Sequence, residues 1–502
     1  LSRPDTRFAA AISVAFLIVG AISVAFHEPW PDETQAWLIA RDATGLVSLL
    51  RNSRYEGSPV LWHLLLLPIT RLGWIPLMSA LNLAFAAGAV FLFAGFSPFD
   101  RVTRALFAFG YLPLYEWGTI ARNYAMGIFF LFLFAVLYPR RRPILQGLVL
   151  ALAANTSAHA ALLAASLLAF VVIDRGRWLG EEPGRPLRAA FWVGVSLAAV
   201  GLAVSAVQSV APASVGLGWA ELSGLRRVAK TAAAFGAGCV PLVHGWFNFL
   251  PIFQERWLAV PARTVTATVT VAFLATAGSY LAHRRSVWLI AVLSWAMLSC
   301  LFYCLWWSGP RHAGFLFMAT LLALWLAPLL PERPPAEGRL ARWGATMRRH
   351  LTLVTKIVLA CQALAGVVAV AVEILTVFSA GRATARLIRD ERLASLPMVG
   401  EPDMMASTVV AYLGLKAAYY PDSDRWGSFA VWDGHFDEKK RTADDQVFGR
   451  AVQLADRSDV LVVMNRAPKE GVPQNVGAVL VGQRASDVLC DESYWVYRVP
   501  RR

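Results

Sequence analysis

The chain has 502 residues, of which 57% are hydrophobic and 16% charged, against about 25% charged in an ordinary soluble domain. Its net charge of +14 is unevenly placed: residues 381–502 hold 17 basic and 17 acidic side chains, so the excess lies wholly in the apolar part. That distribution excludes a nucleic-acid-binding surface, and the long apolar blocks exclude a water-soluble globular chain.

The basic excess collects in short loops, at Arg140–Arg142, Arg175 to Arg188, Arg284–Arg285 and Arg333 to Arg349. This is the positive-inside pattern, and it places those loops in the cytoplasm. Arg3 and Arg7 precede the first span (8–26) and put the N-terminus on the same side. That block is too long for a signal peptide and is followed by no small-x-small cleavage site. Residues 33–50 read as an amphipathic helix and 59–72 as a short apolar one, both at the outer interface. Spans follow at 75–96, 105–117, 124–138, 143–156, 160–173 and 189–207. Segment 208–261 is ambiguous: 231–250 could cross, re-enter or lie flat, and parity favours a non-crossing segment. Spans at 264–282, 287–307 and 312–330 precede a basic cytoplasmic linker (331–350), and a last span (351–378) exports the C-terminus.

Beyond residue 380 the pattern changes. Strand character appears at 396–399, 428–432, 459–464, 476–481 and 494–499, with helical character at 403–415 and 443–455. Such alternation indicates a small α/β domain. The expected fold is therefore mainly α: a polytopic transmembrane helical bundle of about eleven spans, with a C-terminal extramembrane α/β domain. The expected boundaries are 1–380, with 27–74 as the first outer loop, and 381–502. The expected setting is a bacterial inner membrane, with the C-terminal domain extracytoplasmic. Cys239, Cys300, Cys304 and Cys361 lie in apolar stretches and Cys490 stands alone. Cys300 and Cys304 share a helix face without partner ligands, and read as small core residues rather than a metal site.

Polar residues gather at the outer ends of spans. The first cluster, His27 to Trp37, holds Glu28, Asp32 and Glu33. Asp32 can cap a helix and Glu33 sits at its positive end, but three carboxylates within six residues beside an apolar surface point to a site. The second is Arg54-Tyr55-Glu56-Gly57-Ser58-Pro59, which could simply make a turn. The third, Glu116 to Tyr124, carries Arg122 at an outer end, where it either snorkels to lipid phosphates or binds one phosphate bidentately. The fourth, Asn155-Thr156-Ser157-Ala158-His159, also fits polar packing between spans and matches a glycosylation pattern. The fifth, Trp306 to His312, places Arg311 and His312 against the charge bias. His63 and His244 lie in apolar surroundings and read as packing histidines. Together the clusters supply carboxylates to take a proton, cations to stabilise a leaving phosphate, and aromatic faces for sugars and prenyl chains.

This arrangement resembles the GT-C glycosyltransferases, of the protein O-mannosyltransferase and aminoarabinose-transferase type, over about residues 8–330. The residues that carry the resemblance are Asp32-Glu33, Glu56-Gly57-Ser58-Pro59, Ala121-Arg122-Asn123-Tyr124, Asn155 to His159, and Arg311-His312. The chain departs from the family at Gly57-Ser58-Pro59-Val60, where relatives often have Gly-His-Pro-Pro, and at Arg311-His312, where Arg-Tyr is common. The resemblance implies an inverting transferase using a polyprenyl-phosphate sugar donor and a lipid, glycan or protein acceptor. It implies Asp32 as general base and Glu33 as the residue that orients the acceptor or assists a divalent metal, if one is used. It also implies Arg122, Arg311, His312 and Tyr124 on the donor phosphate, and Glu56, Glu116 and His159 toward substrate. Membrane lipids are the remaining partners and nucleic acid is none. The competing readings are a polyprenyl-linked glycan ligase or polymerase, a lipid or sugar flippase or transporter, for which Glu373 is the one clearly intramembrane carboxylate, and a non-catalytic scaffold.

Overall fold

The computed structural model describes residues 5–179, 185–210, 212, 224–242, 256–304, 309–332, 339–433, 441–469 and 471–502. His244, Trp306-Trp307-Ser308 and the later part of segment 231–250 lie outside them. Among the described residues, seven helices are long and apolar enough to cross a membrane: Thr6–Phe26, Pro76–Phe96, Arg185–Ser209, Trp257–Leu281, Ser286–Cys304, Pro310–Leu329 and Gly344–Leu375. Tyr124–Arg140, Pro143–Ala154 and Ala158–Ile173 are apolar but shorter. The beginning of segment 231–250 forms the end of helix Gly224–Cys239.

One expected span is broken. Residues 105–117 do not make a single α-helix; helix Arg101–Ala108 ends and a π-helical segment, Tyr111–Thr119, follows. Pro113 removes a backbone donor inside that segment, which disfavours a regular α-helical continuation. Cys300 and Cys304 share a helix face, with sulfurs 3.9 Å apart, but they are exposed rather than core residues.

The chain divides into two compact units. One comprises Leu1–Ser23, Ala80–Val210 and Leu217–Ala371; the other comprises Val24–Ser79, Ala211–Gly216 and Val372–Arg502. In the first, small residues let helices meet backbone to backbone. A Cβ on Gly147 would stand 1.9 Å from the Gly194 carbonyl oxygen, and one on Gly194 would stand 2.2 Å from that of Pro143. Asn155 adds a side-chain hydrogen bond to the Gly201 carbonyl (2.9 Å) across the same pair of helices. Close approach of small residues with an interhelical amide is how apolar helices associate without water to drive them.

The second unit is built on a six-stranded sheet: β1 (Met398–Glu401), β2 (Ala418–Tyr420), β3 (Arg425–Gly427), β4 (Val460–Met464), β5 (Val479–Arg484) and β6 (Tyr494–Val499). The order is β3-β2-β1-β4-β6-β5, with β2, β1 and β4 parallel and the flanking pairs antiparallel. Helix Asp403–Leu413 follows β1, and helix Asp444–Leu454 precedes β4. The second helix packs Val447, Phe448 and Ala451 onto Val399, Val462, Tyr497 and Val499 of the sheet. The expected strand at 428–432 is irregular chain; β3 ends at Gly427, and β2 was not anticipated.

Glu401, at the end of β1, is wholly buried, and neither carboxyl oxygen accepts a hydrogen bond. Arg466 stands 3.8 Å away. Burial pushes the Glu401 carboxyl up to about 7, and the nearby arginines only partly oppose it. The group is therefore protonated in the folded domain at pH 5 and must ionise in a buried place as pH rises through 7. Since an unfolded glutamate ionises near 4.5, this lowers stability progressively from about pH 4.5 upward. Glu401→Gln is expected to stabilise the β1–β4 amides toward hydrogen exchange by about 2–3 kcal/mol at pH 8 and by almost nothing at pH 5. Equal effects at both pH values would exclude a buried ionisation.

Candidate functional site

In the first unit, the sequence-predicted residues Glu116, Arg122, Tyr124, His159, Arg311 and His312 form a linked polar cluster. The π-helical segment, buried throughout, carries Glu116. Tyr111 donates to Glu116 Oε1 (2.7 Å), and Arg311 Nε stands 3.7 Å from Oε2, a charge contact too long for a hydrogen bond. Trp117 Nε1 donates to the Arg311 carbonyl at 3.3 Å.

His312 is the third residue of helix Pro310–Leu326. The Gly309 N–H donates to His312 Nδ1 at 3.4 Å. That leaves the ring proton on Nε2, which donates to the Tyr124 hydroxyl oxygen at 2.7 Å. The imidazole lies parallel to that of His159, with centroids 4.7 Å apart and planes 5° apart. The charges of Arg311 and Arg122 both reach the His312 ring. The cluster thus joins two guanidinium groups and one carboxylate to the N-terminal turn of an apolar helix, where the helix dipole favours an anion.

Sequence reasoning missed the residue that shapes this cluster. Asn82 is the only carboxamide in helix Pro76–Phe96 and is fully buried. Its Nδ2 donates to the carbonyls of Trp117 (2.7 Å), Gly118 (3.1 Å) and Ile120 (3.1 Å). These carbonyls lie where the π-helical segment ends. Thr119 Oγ1 bonds Ser23 (2.9 Å) and the Leu114 carbonyl (3.0 Å) in the same turn. Asn123 Nδ2 then donates to the Thr156 carbonyl at 2.6 Å. Asn155, Thr156 and Ser157 serve packing and capping, since each bonds backbone groups nearby; of the fourth motif only His159 joins the cluster. A lone amide in an apolar helix was the available signal for Asn82.

The remaining predicted residues belong to the second unit. Helix Pro31–Asp42 carries Asp32 and Glu33 in its first turn. Their side chains diverge in environment. Glu33 is buried, and its Oε2 bonds His27 Nε2 at 2.7 Å while His27 Nδ1 reaches Glu373 Oε1 at 3.0 Å. Burial opposes charge on His27, but the two carboxylates outweigh it and push the imidazole up to about 10. Asp32 is only half-buried, and its charge is among those that act on Glu492. Glu56 accepts from Gln35 Nε2 at 2.9 Å. Gln35 also pairs with both backbone groups of Ala430, at 2.7 and 3.1 Å. Glu28 is held by Arg382 at 3.3 Å. Among the described residues no group of three His, Cys, Asp or Glu side chains is arranged to hold a metal ion.

Asn82→Ala leaves buried carbonyls without a donor, which costs about 1–3 kcal/mol for each unsatisfied group. The variant is expected to lose thermal stability in detergent, and the indole environment of Trp117 should change in its fluorescence. An unchanged melting temperature and spectrum would show that the turn is held by other contacts.

No family model matches the chain, and no curated protein matches it. Among solved structures, ArnT from Cupriavidus metallidurans in the apo state aligns over 98% of both chains at 13% identity, with a TM-score of 0.52. ArnT from the same organism bound to undecaprenyl phosphate aligns over 98% of both chains at 12% identity, with a TM-score of 0.48. The arabinofuranosyltransferase AftD from Mycobacteria aligns with all of this chain and 42% of its own at 15% identity, with a TM-score of 0.38. The chain has an ArnT-like fold.

Proposed function

We propose that the chain is an integral-membrane glycosyltransferase that moves a sugar from a polyprenyl-phosphate donor to an acceptor hydroxyl on the extracytoplasmic face, with inversion. The observation that carries this reading is the linked cluster of Arg122, Arg311, His312 and Tyr124 at a helix N-terminus. Among the described residues of the cluster Glu116 is the one carboxylate beside two arginines, a balance that suits a phosphate. Tyr124 accepts from His312, so its own hydroxyl proton is available to donate to a phosphate oxygen. Glu116, fixed by Tyr111, sets the position of Arg311 beside it. The ArnT fold supports the same class of reaction.

In this reading Asp32 takes the proton from the acceptor hydroxyl as that oxygen attacks the anomeric carbon from the face opposite the phosphate. The bond from that carbon to the phosphate oxygen breaks, the configuration inverts, and the departing phosphate carries the negative charge. Burial separates the roles of the adjacent carboxylates. Asp32 is half-buried, as a proton acceptor for an incoming substrate requires. Glu33 is engaged with His27 and orients the first helical turn that presents Asp32.

Asp32→Asn is expected to lower transfer by about 10²–10⁴-fold, the range of a general base, with donor binding retained. Arg122→Ala should raise the apparent donor KM about 10–100-fold, the equivalent of one charge-assisted contact. Transfer at the wild-type rate by Asp32→Asn would remove Asp32 from the chemistry. An unchanged donor KM in Arg122→Ala would remove Arg122 from the phosphate.

A further inference from the structure

The sheet domain holds a second feature that sugar transfer does not use. A groove of about 410 Å³ lies between β2 with its following turn and helix Asp444–Leu454, a volume within the range of small-molecule sites. The helix turns Val447, Phe448 and Ala451 to the core. It turns Gln446, Gly449, Arg450 and Gln453 to the groove. Those four positions are spaced i, i+3, i+4 and i+7, one continuous stripe of the helix.

Gly449 is the informative member. A glycine inside a helix costs about 1 kcal/mol relative to alanine and needs a reason. Packing does not supply one, because a Cβ placed there would meet nothing within 4 Å. What the missing side chain leaves is room in the groove wall.

Tyr419, Pro421 and Asp424 line the opposite wall, and Trp426 packs beside Tyr419 outside that lining. Tyr419 and Trp426 face each other across β2 and β3, and their rings stand 5.8 Å apart at 65°. Tyr419 is buried, whereas Trp426 is 52% exposed. The Arg450 guanidinium lies 5.6 Å from the Tyr419 ring centre and 3.0 Å from Asp424, and the Tyr419 hydroxyl also bonds Asp424. Arg450 donates to Gln453 at 3.0 Å. Among the described lining residues the one cation and one anion thus neutralise each other, and the other side-chain polar groups are two amides, a threonine and the Tyr419 hydroxyl.

We infer that this groove binds a neutral saccharide. Amides offer a donor and an acceptor side by side, as vicinal sugar hydroxyls require. The self-paired Arg450 and Asp424 add fixed donors and acceptors without selecting for ligand charge. The exposed indole of Trp426, next to the lining residue Tyr419, extends the groove with a flat apolar surface for the C–H face of a pyranose ring. The inference rests on the groove alone and does not depend on the transfer reaction.

The test is binding of the full chain in detergent to an array of neutral and anionic oligosaccharides. Wild type is expected to bind at least one neutral glycan. Gly449→Trp fills the groove and Trp426→Ala removes the platform, and each should weaken that binding about 10-fold or more. Gly449→Ala, which leaves the groove open and favours the helix, should bind as wild type does and melt no lower. Absence of wild-type binding to every neutral glycan would overturn the inference. So would selection for anionic glycans alone, or equal binding by Gly449→Trp and Trp426→Ala.

Discussion

The polar cluster of the first unit depends on one side-chain amide. Inside an apolar helical bundle no water satisfies backbone groups, so a chain that leaves regular α-helix must find donors within the protein. The segment from Tyr111 to Thr119 does leave it, and Asn82 donates to three of the carbonyls exposed at its end. With the turn fixed, Glu116 is held within the buried segment and Arg122 and Tyr124 follow directly beyond it. Helix breakage costs stability, and it is kept where a straight helix could not present these residues.

Each buried carboxylate in the described structure that borders the proposed chemistry has a fixed partner. Tyr111 holds Glu116, and His27 lies between Glu33 and Glu373. A buried carboxylate without such a donor would take up a proton instead of holding charge, as Glu401 does in the sheet domain. Asp32 differs from its neighbour in being half-buried. Two adjacent acids thus have separate environments, and the division of labour proposed for them follows from that difference.

Much of this was readable in the amino-acid order. Apolar blocks announced the helices, and the strands at 459–464 and 494–499 appear as β4 and β6, nearly residue for residue. Hydrophobic run length and alternation are local properties, and local properties survive folding. What stayed hidden was non-local. Nothing near residue 82 indicates three carbonyls more than thirty positions away, and nothing near His27 indicates Glu373. Residues 105–117 read as one helix because hydropathy does not register the change of winding between Ala108 and Pro113. β2 and β3 escaped notice because each is three residues long. Arg122, Arg311 and His312, which the structure brings together with Tyr124, stand out in the sequence as cations that break the positive-inside bias.

The central claim is that the arginine cluster is a phosphate site for a lipid. Its most direct test is mass spectrometry of the lipid that co-purifies with the chain in mild detergent. Wild type is predicted to carry a polyprenyl phosphate, with or without its sugar, and Arg122→Ala combined with Arg311→Ala is predicted to carry little or none. A wild-type chain free of such lipid, or a double variant that retains it at the same occupancy, would contradict the account.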